Sequence, residues 1–240
     1  MLYSERTYRN FISAHDLVSF HVSVRETDLH ISADHELSEI ALNSVIKHRN
    51  YLESYILRHP AFLKSLLPMP RNKLVPGIVY DMIEAGIAAQ VGPMAAVAGA
   101  MAEFVGKDLL CHCENVIVEN GGDIFMKTST ERRVSIFAGE SPLSQKVILR
   151  IMPADMPLGI CTSSATVGPS LSFGRADAVC VMSQSASLAD AAASLIGNQI
   201  KKPSDIKRVL NRGSEIPGVK GIVVIMGETM GAWGQIEFCD

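Results

Sequence analysis

Three short stretches of the chain carry residues whose types and spacing can do chemistry. Asn120-Gly121-Gly122-Asp123 lies between the apolar runs Val116-Ile117-Val118 and Ile124-Phe125-Met126. Asn-Gly in that setting signals a hairpin, because both residues tolerate positive φ, and the second glycine then reads as a bulge. The same residues also suit a loop whose backbone is kept bare for a ligand, and both readings stay open. Residues 159–179, GICTSSATVGPSLSFGRADAV, bring hydroxyls at Thr162, Ser163, Ser164, Thr166, Ser170 and Ser172. These can donate to phosphate or carbonyl oxygens. Gly159, Gly168 and Gly174 allow sharp turns or close approach to a ligand. A polar loop of this length, with few charges, points to contact with a ligand more than to an ordinary turn. In SASLADAAASLIGN, residues 185–198, Asp190 and Ser194 stand four apart and share a helix face. A carboxylate and a hydroxyl so placed suit a hard cation such as Mg²⁺. Asp190 equally completes a capping box opened by Ser187, and spacing alone does not choose between the two roles.

Other combinations are weaker. Cys111-His112-Cys113 has metal-capable side chains, but they alternate faces in an extended chain and no second pair has zinc spacing. No G-x-S-x-G elbow accompanies the serines. Arg25-Glu26-Thr27-Asp28 reads as a charged strand end. Five cysteines without paired spacing point to reduced thiols and a cytoplasmic location. A formal net charge of −3 and a pI of about 6.2 leave no electrostatic footprint for nucleic acid. Basic groups at Lys47-His48-Arg49, Arg132-Arg133 and Lys201-Lys202 read as solvated faces. Residues 85–102 carry no charge, yet Gln90 and Gly92-Pro93 interrupt them. They predict two close-packed core helices and no membrane partner.

The elements that must position the three stretches follow from periodicity. The chain of 240 residues is 48% hydrophobic and 20% charged, enough for a sizeable core. Strands are predicted at 7–13, 17–25 and 29–33, then a helix over 35–66 that Pro60 should kink or restart. Two Ala-rich helices end near Leu110, and strands return at 115–127 and 133–138. The second half predicts strands at 146–152, 158–162 and 176–182, helices at 188–200 and 203–211, and strands at 221–226 and 234–238. Strands, two helices and strands again, twice over, indicate an α+β fold of antiparallel sheet with helices on one face. The absence of βαβ alternation excludes a dinucleotide-binding fingerprint at Gly92–Gly99. Residues 1–240 are expected to form a single domain of two pseudo-repeats, about 1–140 and 141–240.

Taken together and in order, VENGGDI, GICTSS…SLSFGRADAV and LADAAASLIGN resemble the ApbE-like superfamily, which contains the FAD:protein FMN transferases. With ETDLHI and HPAFLKSLLPM, the chain is most similar to a short cytosolic branch of it. The resemblance implies a T-fold-like ββααββ pseudo-repeat, a small-molecule nucleotide ligand, FAD and Mg²⁺ as cofactors, and an acceptor protein. A homo-oligomer is compatible with it. It implies that Gly121, Gly122 and Asp123 border the flavin nucleotide, that Thr162, Ser163 and Ser164 line the cleft, and that Asp190 and Ser194 hold the metal. It also implies two departures. Pro169 stands where the transferases have a proton-transferring His, and Gly92-Pro93 where they have Lys-Gly. Loss of a positioned base removes a contribution of about 10²–10⁴-fold. The resemblance thus supports two alternatives: Mg²⁺-dependent FAD cleavage or FMN transfer, and a binding protein without turnover.

Overall fold

The computed structural model describes Ile12 and residues 14–165 and 173–239. Eight strands form one antiparallel sheet: β1 (Val18–Val24), β2 (Thr27–Ala33), β3 (Val116–Asn120), β4 (Asp123–Lys127), β7 (Leu158–Ser163), β8 (Ala178–Ser183), β9 (Val219–Met226) and β10 (Thr229–Gly234). They lie side by side in that order. A two-stranded sheet, β5 (Arg132–Ser135) with β6 (Ile148–Ile151), fills the gap in the numbering. Helices α1 (Ser38–Arg58), α2 (Ala61–Lys64), α3 (Gly77–Ala89) and α4 (Val97–Leu109) separate β2 from β3. Helices α5 (Ala186–Asn198) and α6 (Ile206–Ser214) separate β8 from β9. The expected α+β class, with strands, helices and strands in each half, is therefore what the chain builds.

Period-two alternation sends side chains to both faces of the sheet. Phe20, Leu29, Ile31, Val118, Phe125, Val179 and Val224 join the core beneath the helices. Ile117, Ile124, Met126, Ile160, Met182 and Ile225 meet Val134, Leu149 and Ile151 of the small sheet on the other face. Both faces are covered, so a strand such as AVCVMS in β8 is buried at all its positions. The expectation of helices on one face is met, and the small sheet is the cover that the other face requires.

Local chemistry sets the boundaries. α1 stops at Arg58 and α2 starts at Ala61, with Pro60 between them as the sequence predicts. α3 ends on Gln90, which takes a left-handed φ of 56°. Gly92 is extended, and Pro93 opens a single 3₁₀ turn into α4, so the two Ala-rich segments meet at a bend of 106°. No single helix among the described residues is long and apolar enough to cross a membrane.

Two expectations need correction. The final strand is Thr229–Gly234, not 234–238, because Met226 pairs with Thr229 around a two-residue turn whose Gly227 has φ of 59°. The turn-rich look of GETMGAWG hid a tight hairpin. Helix α6 begins at Ile206, since Pro203–Asp205 forms only a 3₁₀ turn before it. The strand expected at 7–13 lies outside the described residues except for Ile12, which bridges to Val134.

The two halves of the sheet meet where β4 pairs with β7: Asp123 with Cys161, Ile124 with Ile160, Phe125 with Gly159, and Met126 with Leu158. Phe125 is buried there, and its ring occupies the space a side chain on Gly106 of α4 would need. Truncating such a ring loses both transfer energy and packing. Phe125→Ala is expected to cost about 3–5 kcal/mol in urea unfolding, against under about 1.5 kcal/mol for a volume-conserving core swap.

Candidate functional site

Helix α4 begins after Ala96, which has no side-chain oxygen to offer its first amides. The missing acceptor comes from α5. Asp190 Oδ2 accepts from the Gly99 backbone N–H at 2.9 Å, and the Ala98 N–H also donates to this carboxylate. A carboxylate here satisfies orphan donors and faces the positive end of the helix. Helix α5 receives the same service in return. Its own N-cap Ser185 accepts from Leu188 N–H, while Glu103 Oε2 of α4 accepts from Ser187 N–H and from the Ser185 hydroxyl, both at 3.2 Å. Lys107 neutralises Glu103 from 2.6 Å. Such mutual reach demands close helices, and Gly99 supplies the room: a side chain there would run into the Ala186 carbonyl.

The hairpin enters the same corner. Asn120 pairs with Asp123, so Gly121-Gly122 is a two-residue turn, with φ of 67° and 104°. Gly122 is therefore the second turn residue and not a bulge. Asn120 Nδ2 donates to the Ala98 carbonyl at 3.1 Å, which ties the turn to the first turn of α4. Among the described residues, a side chain on Gly121 would meet nothing within 4 Å, and one on Gly122 only the Thr162 carbonyl at 4.0 Å. Positive φ, not crowding by the described residues, is thus what reserves these positions for glycine. One amide is already spoken for, since Gly122 N–H donates to Glu119 Oε1 at 2.8 Å.

Asp123 and Asp190 give the corner its charge. Asp123 is buried beside Cys161, and its carboxyl receives hydrogen bonds from the Thr162 N–H and the Cys161 thiol. Burial is the main force raising its pKa well above the carboxylate range, with repulsion from Asp190 and then Glu119 adding to it. Burial likewise raises Asp190 to about 7, against the lowering effect of the two amides it caps. The pair therefore tends to hold a proton into the neutral range. Cys161 sits between Asp123 and the Ala186 carbonyl, and burial keeps its thiol protonated. Cys180, bonded to the Thr162 side chain, is pushed up to about 12 by burial.

The residues singled out in the sequence fall into three groups. Gly121, Gly122, Asp123, Thr162 and Asp190 come together at this corner. Ser163 lies further along, its hydroxyl packed against Gly197 of α5. Ser164 and Ser194 are half-buried, and Ser194 stands one helical turn beyond Asp190. Thr166, Gly168, Pro169, Ser170 and Ser172 lie outside the described residues. The capping-box reading is corrected: Ser185, not Ser187, caps α5, and Asp190 caps a different helix. The buried Ser187 hydroxyl has no partner among the described residues. Cys111 and Cys113 extend the end of α4, their thiols donating to the Lys107 and Leu109 carbonyls. Sequence reasoning does not reach Ala98, Gly99 and Glu103, nor the bond from the Asn120 side chain to Ala98. The one signal for them was an Ala-rich helix start with no polar residue to cap it.

Comparison with known proteins places this geometry in context. A family model described as AbpE bacteria matches residues 9–232. A UPF0280 protein of Methanococcus aeolicus is 41% identical over 90% of this chain and 89% of its own length. A UPF0280 protein of Methanosarcina acetivorans is 38% identical over 90% of this chain and 86% of its own. Among solved structures, the apo flavinyl transferase ApbE of Pseudomonas stutzeri superposes with a TM-score of 0.60 at 12% identity. That match covers 90% of this chain and 94% of the other. The apbe protein of Thermotoga maritima gives 0.55 at 11% identity, covering 90% and 96%. These structural likenesses speak to the fold.

The capping geometry and the raised pKa values make opposite demands on Asp190, which separates two variants. A carboxyl with a folded pKa above its unfolded one binds more protons when folded, so stability falls as pH rises between the two values. For Asp190 that window runs from 3.8 to about 7. Asp190→Asn keeps an oxygen for the Gly99 and Ala98 amides without the charge, so its stability relative to wild type should climb across this window and level off above it. Asp190→Ala should lie about 0.5–2 kcal/mol below Asp190→Asn throughout, the cost of a lost cap. Thermal melts from pH 4 to 8 on the three proteins check this, and a difference that falls with pH would refute it.

Proposed function

The chain belongs to the AbpE bacteria family, and from that premise we propose that the corner formed by the Gly121-Gly122 turn, Asp123, Thr162 and Asp190 binds a flavin nucleotide such as FAD. The observation that carries this reading is the acid pair. Asp123 and Asp190 arrive from a strand and a helix, burial raises the proton affinity of both, and the charge of Asp190 raises that of Asp123 further, beside a glycine turn that meets no crowding among the described residues. Perturbed acids gathered beside a glycine turn are a candidate functional site. Adjacent carboxylates are also what a divalent cation bound to a diphosphate would compensate.

The residues fit Mg²⁺. Asp190 brings a carboxylate already anchored by the α4 amides, Ser194 presents a hydroxyl from the same helix face, and Asp123 adds a second carboxylate. A bound Mg²⁺ would supply charge neutralisation for the pyrophosphate. Around it, the segment Thr162, Ser163 and Ser164 would line the nucleotide, although the Thr162 side chain is engaged with Cys180 and the Ser163 hydroxyl packs on Gly197. Gly121 and Gly122 let the backbone border the ligand without side chains in the way. The whole chain, residues 1–240, is read as one unit of two pseudo-repeats, about 1–140 and 141–240, with the ligand where they meet.

Two outcomes follow for chemistry. In the enzyme reading, FAD is cleaved at the pyrophosphate and FMN passes to an acceptor protein or water. In the other, the nucleotide is bound without turnover. Pro169 in place of a His favours the second, because no imidazole stands there to take the proton from an attacking hydroxyl.

Calorimetric titration of FAD into wild type, Asp190→Ala and Asp190→Asn, with Mg²⁺ and with EDTA, tests the site. Affinity that needs both Mg²⁺ and Asp190 is expected, with Asp190→Asn as weak as Asp190→Ala although its cap is intact. Chromatography for FMN and AMP then separates turnover from binding. Equal affinity in all three proteins, with or without metal, would remove the metal assignment.

A further inference from the structure

The longest stretch of the described chain without an acid lies between Glu53 and Asp81, far in sequence from the three motifs. It carries Arg58, Lys64, Arg71 and Lys73 in a protein whose formal net charge is −3. Its leucines face outward: Leu57 is 82% exposed, Leu63 50%, Leu66 63%, Leu67 71% and Leu74 96%. Scattered exposed leucines need no explanation, but five on one connection of eighteen residues, interleaved with cations, do.

This exposure is built into the fold. Phe62 is fully buried and meets Tyr55 edge-on at 5.1 Å, so α2 is pinned by one aromatic while Leu63 and Lys64 beside it point out. Ser65 packs so tightly on Gly92 that a side chain on Gly92 would overlap the Ser65 carbonyl. Pro60, Pro68, Pro70 and Pro76 restrict the backbone between these anchors. Arg71 is held by Glu84 at 2.8 Å, whereas Lys64 and Lys73 are exposed. Exposed apolar tips and positive charge thus alternate along a connection anchored at Phe62 and Ser65.

We propose that the connection formed by residues 57–74 docks on an anionic lipid surface. Leucine tips would enter the headgroup boundary while the cations meet lipid phosphates, the combination that holds peripheral proteins at membranes. A second copy of the chain fits less well. A two-fold interface would set this segment against itself, bringing Arg58, Lys64 and Lys73 of both copies together, with Glu84 already engaged by Arg71. The sequence-based expectation of no membrane partner rested on the lack of a span, and attachment to a surface requires none. This inference is independent of the flavin reading.

Flotation with vesicles of phosphatidylcholine, alone or mixed with phosphatidylglycerol, tests it on the full chain. Wild type should float with the mixed vesicles at low salt and be released by molar sodium chloride. Leu66→Ser with Leu67→Ser and Leu74→Ser should abolish flotation, and Lys64→Gln with Lys73→Gln should weaken it by about five-fold for each charge removed. All these side chains are exposed, so circular dichroism should show folded variants. Wild type that stays with the unbound protein, or variants that float as well as wild type, would overturn the proposal. So would light scattering that shows a dimer which the serine variant splits, because the segment would then belong to a second copy.

Discussion

Two helices from opposite halves of the chain each supply the carboxylate that the other lacks at its N-terminus. Asp190 of α5 satisfies the first amides of α4, and Glu103 of α4 satisfies those of α5. A helix leaves its first amides unpaired, and burying them without acceptors costs as much as several lost hydrogen bonds. Neither helix can therefore slide along the other without orphaning donors on both. This exchange sets how closely the helices approach, and hence why position 99 is glycine. It also fixes where the Asn120–Asp123 turn docks, because Asn120 bonds to the same turn of α4 that Asp190 caps.

Electrostatics shows what the arrangement costs. Asp123, Asp190, Glu119 and Glu103 crowd one region, and Asp81 on α3 is also raised by burial and by Glu103. Lys107 is the cation paired with Glu103. Folding alone gives no reason to gather so many acids, since apolar residues of the same volume would pack more cheaply. Glu103 is accounted for by its capping role, and Asp190 in part. Asp123 caps no helix, and its burial beside Asp190 is the feature most in need of a functional explanation.

Much of the fold was legible because its signals are local. The Pro60 break, the Gly92-Pro93 corner and the apolar strands around Asn120-Gly121-Gly122-Asp123 need only neighbouring residues to be read. The last strand was misplaced because methionine, glycine and alanine in β10 have weak strand signatures, and its pairing with β9 is what makes it a strand. At the site, Asp123, Thr162 and Asp190 stood out by residue type. Their true partners did not. Nothing in AVAGAMA announces that the amide of Gly99 will be capped from position 190, since a backbone donor has no sequence signature and its acceptor is remote. Sequence patterns describe caps only within a few residues, so the one cap they offer Asp190 is on its own helix.

The seam between β4 and β7 has one more consequence. Asp123 stands at its edge on one side and Asp190 belongs to a helix on the other, so a ligand held by both is a tie-bar between the halves. Binding to the folded state alone stabilises it by mass action. A molecule gripping a single half would stabilise that half locally and leave the other to open on its own. One gripping both sides makes separation of the halves and loss of the ligand the same event. Occupancy would then set how cooperatively the eight-stranded sheet comes apart, as well as how stable it is.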